Sequence, residues 1–226
     1  MKKIENLFPG NFVAEPASMK KKMQRIRAFI FDWDGVFNNG HKTESGSSSF
    51  SEIDSMGTNL LRFSQYLLYQ HNPPVAVISG ENNHAAAFFA AREHFHALYH
   101  TRNKIEALQH FCTAYSLEPA EVAFFFDDVL DLAVASVCGL RILVTQQASA
   151  MTRRFVVRKM LADYCTATDG LQHAVREGSE LLMTLNGNFN DVLTHRIGNS
   201  DEYQAYLRLR NATLLQQYSE KDLPQP

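Results

Sequence analysis

Cysteine is scarce in this chain of 226 residues: Cys112, Cys138 and Cys165 are all it has. An odd count with no CxxC pair excludes a disulfide framework and a zinc knuckle, and the three thiols read as small buried hydrophobes. An excess of charge of one sign is also lacking. Lys and Arg number 22 against 24 Asp and Glu, a net charge of −2, so no broad basic surface points to nucleic acid. No apolar run approaches the length of a membrane span. Pro9, Gly10, Asn11 and Glu15 interrupt the N-terminal region, which therefore does not match a secretory signal. The expected setting is the cytoplasm, with neither nucleic acid nor membrane as partner. Hydrophobic residues at 45% and charged residues at 20% are enough for one sizeable core and exclude a disordered chain.

What is present is an alternation. Residues 27–32 (RAFIFD), 75–79 (VAVIS), 122–126 (VAFFF) and 140–144 (LRILV) are short apolar runs rich in β-branched and aromatic residues. Residues 97–99 form a weaker fifth candidate. Helical spacing fills the intervals, over 55–70, 83–93, 104–115, 130–137, 171–185 and 202–217. Fully apolar strands alternating with helices predict an α/β, doubly wound parallel sheet covered on both faces. Residues 1–24 read as a polar leader, 25–185 as the core, and 186–226 as a polar linker followed by a terminal helix. The stretch 36–50, with Gly40, Gly46 and four serines, lacks helical period and reads as a β-hairpin flap or, alternatively, a disordered loop.

In an open parallel sheet, ligands bind beyond the carboxyl ends of the strands. The first strand ends in Asp32-Trp33-Asp34-Gly35, the second in Ser79-Gly80, and the third in Asp127-Asp128 with Asp131 close behind; Lys104 opens a helix between the second and third. The chemistry of that set is coherent. Asp32 can attack phosphorus and form an aspartyl-phosphate. Asp34 can protonate the leaving alkoxide and later deprotonate water. Mg²⁺ held by Asp32, the Asp34 carbonyl and Asp127 would cancel charge, because hard oxygen ligands suit it. Ser79 and the adjacent backbone at Gly80 can donate to phosphate oxygens, and Lys104 can stabilise both phosphate and carboxylates. Each piece alone has a plainer reading: a helix N-cap for Asp127-Asp128, a strand-ending turn for Ser79-Gly80, a surface lysine for Lys104. Elsewhere, His94 and His96 form an HxH pair with no third ligand nearby, and Trp33 reads as a wedge between loop and core.

FIFDWDG, VISG, Lys104 and FFFDDVLD resemble, in order, the four motifs of the haloacid dehalogenase superfamily. DWDGVFNNG, FSEIDSMGTNLL, RNKIEAL and ADYCT are similar to the family of 3-deoxy-D-manno-octulosonate 8-phosphate phosphatases, over residues 27–185. The resemblance implies a Rossmann-like core with a hairpin and no large cap domain, assembled as a homo-oligomer, a tetramer. It implies Asp32 as nucleophile, Asp34 as acid/base, Asp127 as metal ligand, Ser79 and Lys104 on the phosphate, and Asp128 and Asp131 in support. The chain departs from the pattern at three places. Phe126 stands where the family has Gly, and Glu81 and Ile53 stand where it has Arg. Two arginines fewer means less bidentate recognition of an anion, for which Lys42, His84 or Arg102 could compensate.

Two functions of different class follow. One is a phosphatase acting on a small phosphorylated metabolite, a sugar or sugar-acid phosphate. The other is a catalytically weak relative serving as a binding or assembly module. The intact set of Asp32, Asp34, Ser79, Lys104 and Asp127 favours the first, because an unused carboxylate cluster costs stability by mutual repulsion.

Overall fold

The fold described here is a computed structural model, covering residues 2–80, 83–99 and 103–219. In chain order its elements are α1 (Lys2–Glu5), β1 (Asn11–Phe12), α2 (Pro16–Met23), β2 (Ala28–Asp32), α3 (Glu52–Tyr69), β3 (Val75–Ile78), α4 (His84–Glu93) and β4 (His96–Tyr99). They continue with α5 (Lys104–Tyr115), β5 (Val122–Phe126), α6 (Leu132–Ala135), β6 (Leu140–Leu143), α7 (Ala150–Arg158) and β7 (Tyr164–Cys165). The chain closes with α8 (Ala174–Asn186), α9 (Phe189–Ile197), α10 (Asp201–Asn211) and β8 (Gln217–Ser219). Eight strands form one sheet in the order β1-β7-β6-β5-β2-β3-β4-β8. Every neighbouring pair is parallel except β1 with β7.

The doubly wound expectation holds, and the side-chain period of the strands explains it. Along β2, Phe29 and Phe31 pack with α2, α3 and α8, while Ala28 and Ile30 pack with α5 and α6 on the opposite face. All five residues of β2 are buried, so both faces need a helical cover. On the first face Phe31 and Phe125 meet at 4.6 Å between ring centroids. Burying such a ring stabilises the fold by about 1.5–3 kcal/mol.

Four expectations change. Residues 36–50 contain no paired strands; one turn closes through Gly46 N–H to Thr43 O (2.9 Å) and Thr43 N–H to Ser47 O (2.8 Å). Two polar side chains of the segment, Asn38 and Ser48, turn inward and are buried, while residues 39–45 are exposed. The leader is part of the core: Met19 and Met23 are buried, Lys22 reaches Asp163 at 2.6 Å, and β1 pairs with β7. The linker contains a helix, α9, whose Phe189, Val192 and Leu193 share one face against the core. Asn188 fixes its start, accepting from Ser64 Oγ (2.7 Å) and donating to Ser64 O (2.9 Å). The terminal helix α10 ends at Asn211, and Gln217, expected to be helical, begins β8 beside β4.

Candidate active site

β2, β3 and β5 all end at one edge of the sheet, and their last residues turn into a cavity of about 500 Å³. Asp32, Asp34, Gly80, Lys104, Asp127, Asp128 and Asp131 all line it. Ser79 lies one residue behind the wall, buried, with its N–H on Leu98 O at 2.9 Å.

Lys104 is no surface lysine. It opens α5 at 8% exposure, and its Nζ donates to Asp32 Oδ1 (2.5 Å) and Asp131 Oδ1 (2.6 Å). Burial works against the ammonium, but the two carboxylates override it and hold its pKa above the ordinary lysine value. Asp131 also accepts from Asp128 N–H at 3.3 Å, closing the turn after β5. Asp128 itself is exposed.

The carboxylates outnumber their counter-charge. Asp32, Asp127 and Asp131 each offer an oxygen, all within 4.8 Å of one another. Burial pushes Asp127 up to about 8, helped by Asp32, Asp131 and Asp128. Burial and then Asp131 push Asp32 up to about 7, while Lys104 pulls the other way. An oxygen-only donor set with surplus negative charge fits a hard divalent cation. Gly35, at φ +89°, lets the loop pass over Asp127; a Cβ there would lie 2.0 Å from Asp127 Oδ2.

Asp34 sits at the rim, held from two sides. Ser48 Oγ donates to its Oδ1 at 2.6 Å, and Lys42 Nζ lies 3.1 Å from its Oδ2. The Ser48 hydroxyl is itself fixed by Trp33 Nε1 (2.9 Å) and Asn83 Nδ2 (2.8 Å). Trp33 is fully buried, stacked on Phe37 at 4.9 Å, which bears out the wedge.

Sequence reading missed Ser48, Asn83 and Gln146. Gln146 Nε2 donates to Gly35 O (2.8 Å) and Asp127 Oδ2 (3.3 Å). Its place, three residues beyond the end of β6, is the one signal that could have flagged it. Glu81 and Arg102 lie outside the described residues. Ile53 is 47% exposed on α3, and His84 is exposed at the start of α4. His94 caps α4 in the left-handed conformation, whereas His96 is buried in β4 with Nε2 at 2.6 Å from Tyr115 Oη. Among the described residues neither histidine joins a three-donor cluster.

No family model matches the chain. The 3-deoxy-D-manno-octulosonate 8-phosphate phosphatase of Escherichia coli (strain K12) is 27% identical over 181 residues, covering 78% of this chain and 89% of that protein. A protein assigned to the YrbI phosphatase family, from Pseudomonas syringae pv. phaseolica, matches with a TM-score of 0.66 and 26% identity over 81% of this chain and 98% of its own. The 3-deoxy-D-manno-octulosonate 8-phosphate phosphatase of Moraxella catarrhalis, solved with magnesium ion, phosphate ion and KDO, matches in fold with a TM-score of 0.65, at 23% identity over 79% of this chain and 97% of its own. Over most of its length the chain is therefore similar to the 3-deoxy-D-manno-octulosonate 8-phosphate phosphatases, and it is similar, with a TM-score of 0.65 at 25% identity over 80% of this chain and 95% of the other, to a Legionella pneumophila protein described as a HAD superfamily (subfamily III A) hydrolase.

Proposed function

We propose that this protein is a magnesium-dependent phosphatase that hydrolyses a small sugar or sugar-acid phosphate through an aspartyl-phosphate on Asp32. The observation that carries this reading is the Lys104 bridge, which clamps one oxygen of Asp32 and leaves the carboxylate at the cavity wall beside Asp34 and Asp127.

In the first step an Asp32 carboxylate oxygen attacks phosphorus and the ester P–O bond breaks. Asp34 delivers its proton to the departing alkoxide. In the second step water attacks phosphorus, Asp34 takes its proton, and the acyl-phosphate P–O bond breaks to release phosphate and restore Asp32. Gly80 and Ser79 at the end of β3, with Lys104, donate to the phosphoryl oxygens as charge shifts onto them. Asp32, Asp127 and the Asp34 carbonyl would hold Mg²⁺, which neutralises carboxylate and phosphate charge when bound. Asp131 fixes Lys104, and Asp128 supports the turn.

Substrate choice follows from what surrounds this machinery. Ile53 supplies no cation where the relatives' pattern has Arg, and Lys42 is the remaining described cation on the rim, spent partly on Asp34. The same reading includes a homo-oligomer, a tetramer by resemblance. Exposed Ile53, Met56 and Phe88 lie on α3 and α4 beside the 36–50 loop and suit a subunit contact. Sedimentation of the full chain tests it. Among the described residues no helix is long and apolar enough to cross a membrane.

The experiment is phosphate release across phosphorylated sugars, sugar acids and an aryl phosphate, with EDTA and Asp32→Asn controls. Release that needs both Mg²⁺ and Asp32 is expected. Release that survives Asp32→Asn would remove the nucleophile assignment, and no release from any compound would favour a binding module.

A further inference from the structure

Between Asp131 and Asp163 the chain has no acidic residue, although Asp and Glu number 24 over its whole length. The same interval carries Arg141, Arg153, Arg154, Arg158 and Lys159. Arg141 is spent on Asp163, at 3.0 Å. The other four lie on α7 or directly after it and are exposed. Among the described residues no carboxylate pairs with any of them. The net charge of −2 averages over this segregation of sign.

α7 is fastened to the protein by one side. Val156 is fully buried, in the cluster that holds Phe124, Leu143 and Cys165. At about 100° per residue, Met151, Arg154, Phe155 and Arg158 fall in one sector about 100° wide on the side away from Val156. All four are exposed, Met151 at 74% and Phe155 at 49%. The outward face of the helix thus mixes two guanidinium groups with two large apolar side chains. Arg153, Arg154 and Arg158 also wall a cavity of about 600 Å³, together with Asn11, Gln146 and Val157, and no acidic residue lines it.

The mixture selects the partner. Like charges oppose two such faces meeting across a two-fold axis, so a second copy does not fit. Single-stranded nucleic acid is held in a basic groove with a row of aromatic platforms. Here the face is a convex helix of nine residues with one aromatic ring. A convex strip of cations with protruding Met and Phe side chains suits a plane that is anionic at its surface and hydrocarbon beneath.

We propose that the outward face of α7 docks on a membrane surface rich in anionic lipids, with Arg153, Arg154, Arg158 and Lys159 at the headgroup phosphates and Met151 and Phe155 at the acyl boundary. The contact is peripheral and spans nothing. It is also separate from the catalytic chemistry, because none of these six residues lines the cavity of Asp32.

Co-sedimentation of the full chain with vesicles tests the proposal, using phosphatidylcholine alone and equal parts of phosphatidylcholine and phosphatidylglycerol. Binding to the mixed vesicles only is expected, and high salt should release it by screening the charges. Arg154→Ala with Arg158→Ala should weaken binding by about thirty-fold, the effect of two cations at a charged surface. Met151→Ser with Phe155→Ser should weaken it by about ten-fold, through lost apolar burial. Lys20→Ala with Lys21→Ala, an exposed basic pair on α2, should leave it unchanged. Absence of binding to the mixed vesicles overturns the proposal, as does an unchanged affinity in either α7 variant. An equal loss in the α2 variant would mean attraction to any basic surface and overturns it too. Displacement of the vesicles by a single-stranded oligonucleotide would give the face to nucleic acid instead.

Discussion

Ser48 holds Asp34. The hydroxyl of a loop serine donates to the rim carboxylate at 2.6 Å across fourteen residues of sequence, and Trp33 and Asn83 fix that hydroxyl in turn. If Asp34 is the acid/base, its aim depends on this bond. Ser48→Ala should then lower kcat by about 10–100-fold, the usual effect of losing an outer partner of a functional group, with KM little changed. Steady-state kinetics on an aryl phosphate would show it. An unchanged kcat would mean that Lys42, with Asn83 Nδ2 at 3.5 Å from Asp34 Oδ1, suffices to position Asp34.

Asp34→Asn removes the proton carrier without changing side-chain volume. Turnover should fall by about 10²–10⁴-fold, with the thermal unfolding midpoint preserved. Wild-type turnover in this variant would remove the acid/base role.

The metal cluster carries its own pH dependence. The carboxyls of Asp32 and Asp127 titrate near 7 and 8 in the folded protein because burial and neighbouring carboxylates disfavour their charge. In the unfolded chain they titrate near about 4. Between those values the folded state keeps protons that the unfolded chain has lost, so the stability of the metal-free protein falls as pH rises. Mg²⁺ should reverse this, and its stabilising increment should grow from about pH 5 to about pH 8. Melting curves with Mg²⁺ and with EDTA would measure the increment. An increment independent of pH would place the metal elsewhere.

Gly35 and Gly46 form a matched pair for a backbone test. Both have positive φ, +89° and +76°, but only at Gly35 would a Cβ meet Asp127, at 2.0 Å. Gly46→Ala should cost about 1–2 kcal/mol, the conformational penalty alone. Gly35→Ala should cost more and also weaken Mg²⁺ binding. Urea unfolding and metal titration of the two variants separate the effects, and equal costs with equal metal affinity would contradict the contact.

The α10 helix is anchored by rings. Tyr206 is fully buried against Phe63 (5.2 Å) and Tyr66 (5.8 Å) of α3, and its hydroxyl donates to Asn59 O at 3.3 Å. Tyr206→Ala should destabilise by about 3–5 kcal/mol, and Tyr206→Phe by about 1 kcal/mol, as read from denaturant midpoints.

The parts of this structure that sequence revealed share one physical property, a strong local pattern. The interior strands are unbroken apolar runs because both of their faces are covered, and each catalytic candidate follows such a run directly. Lys104 was found as the first residue of α5 for the same reason. β1 and β7 have two residues each, too short for any period to register. In α9 only one narrow face is apolar, and polar residues dominate the stretch. Ser48 and Gln146 carry no motif at all; long-range packing brings them to Asp34 and Asp127. The 36–50 segment looked like a hairpin because its composition suits a turn, but the turn at 43–47 carries no paired strands, and Ser48 and Lys42 reach Asp34 instead.

The outermost strands of the sheet come from opposite ends of the described chain, β1 beside β7 and β8 beside β4. Asn11 cannot find Cys165 until β7 has been made. β1 is thus placed late, after the interior strands have assembled. Once placed, the two short end strands shield the parallel interior from pairing with other molecules. Folding of this molecule would then run from the centre of the sheet outward, with the nucleophile-bearing strand β2 near the beginning and both ends of the sheet sealed at the close.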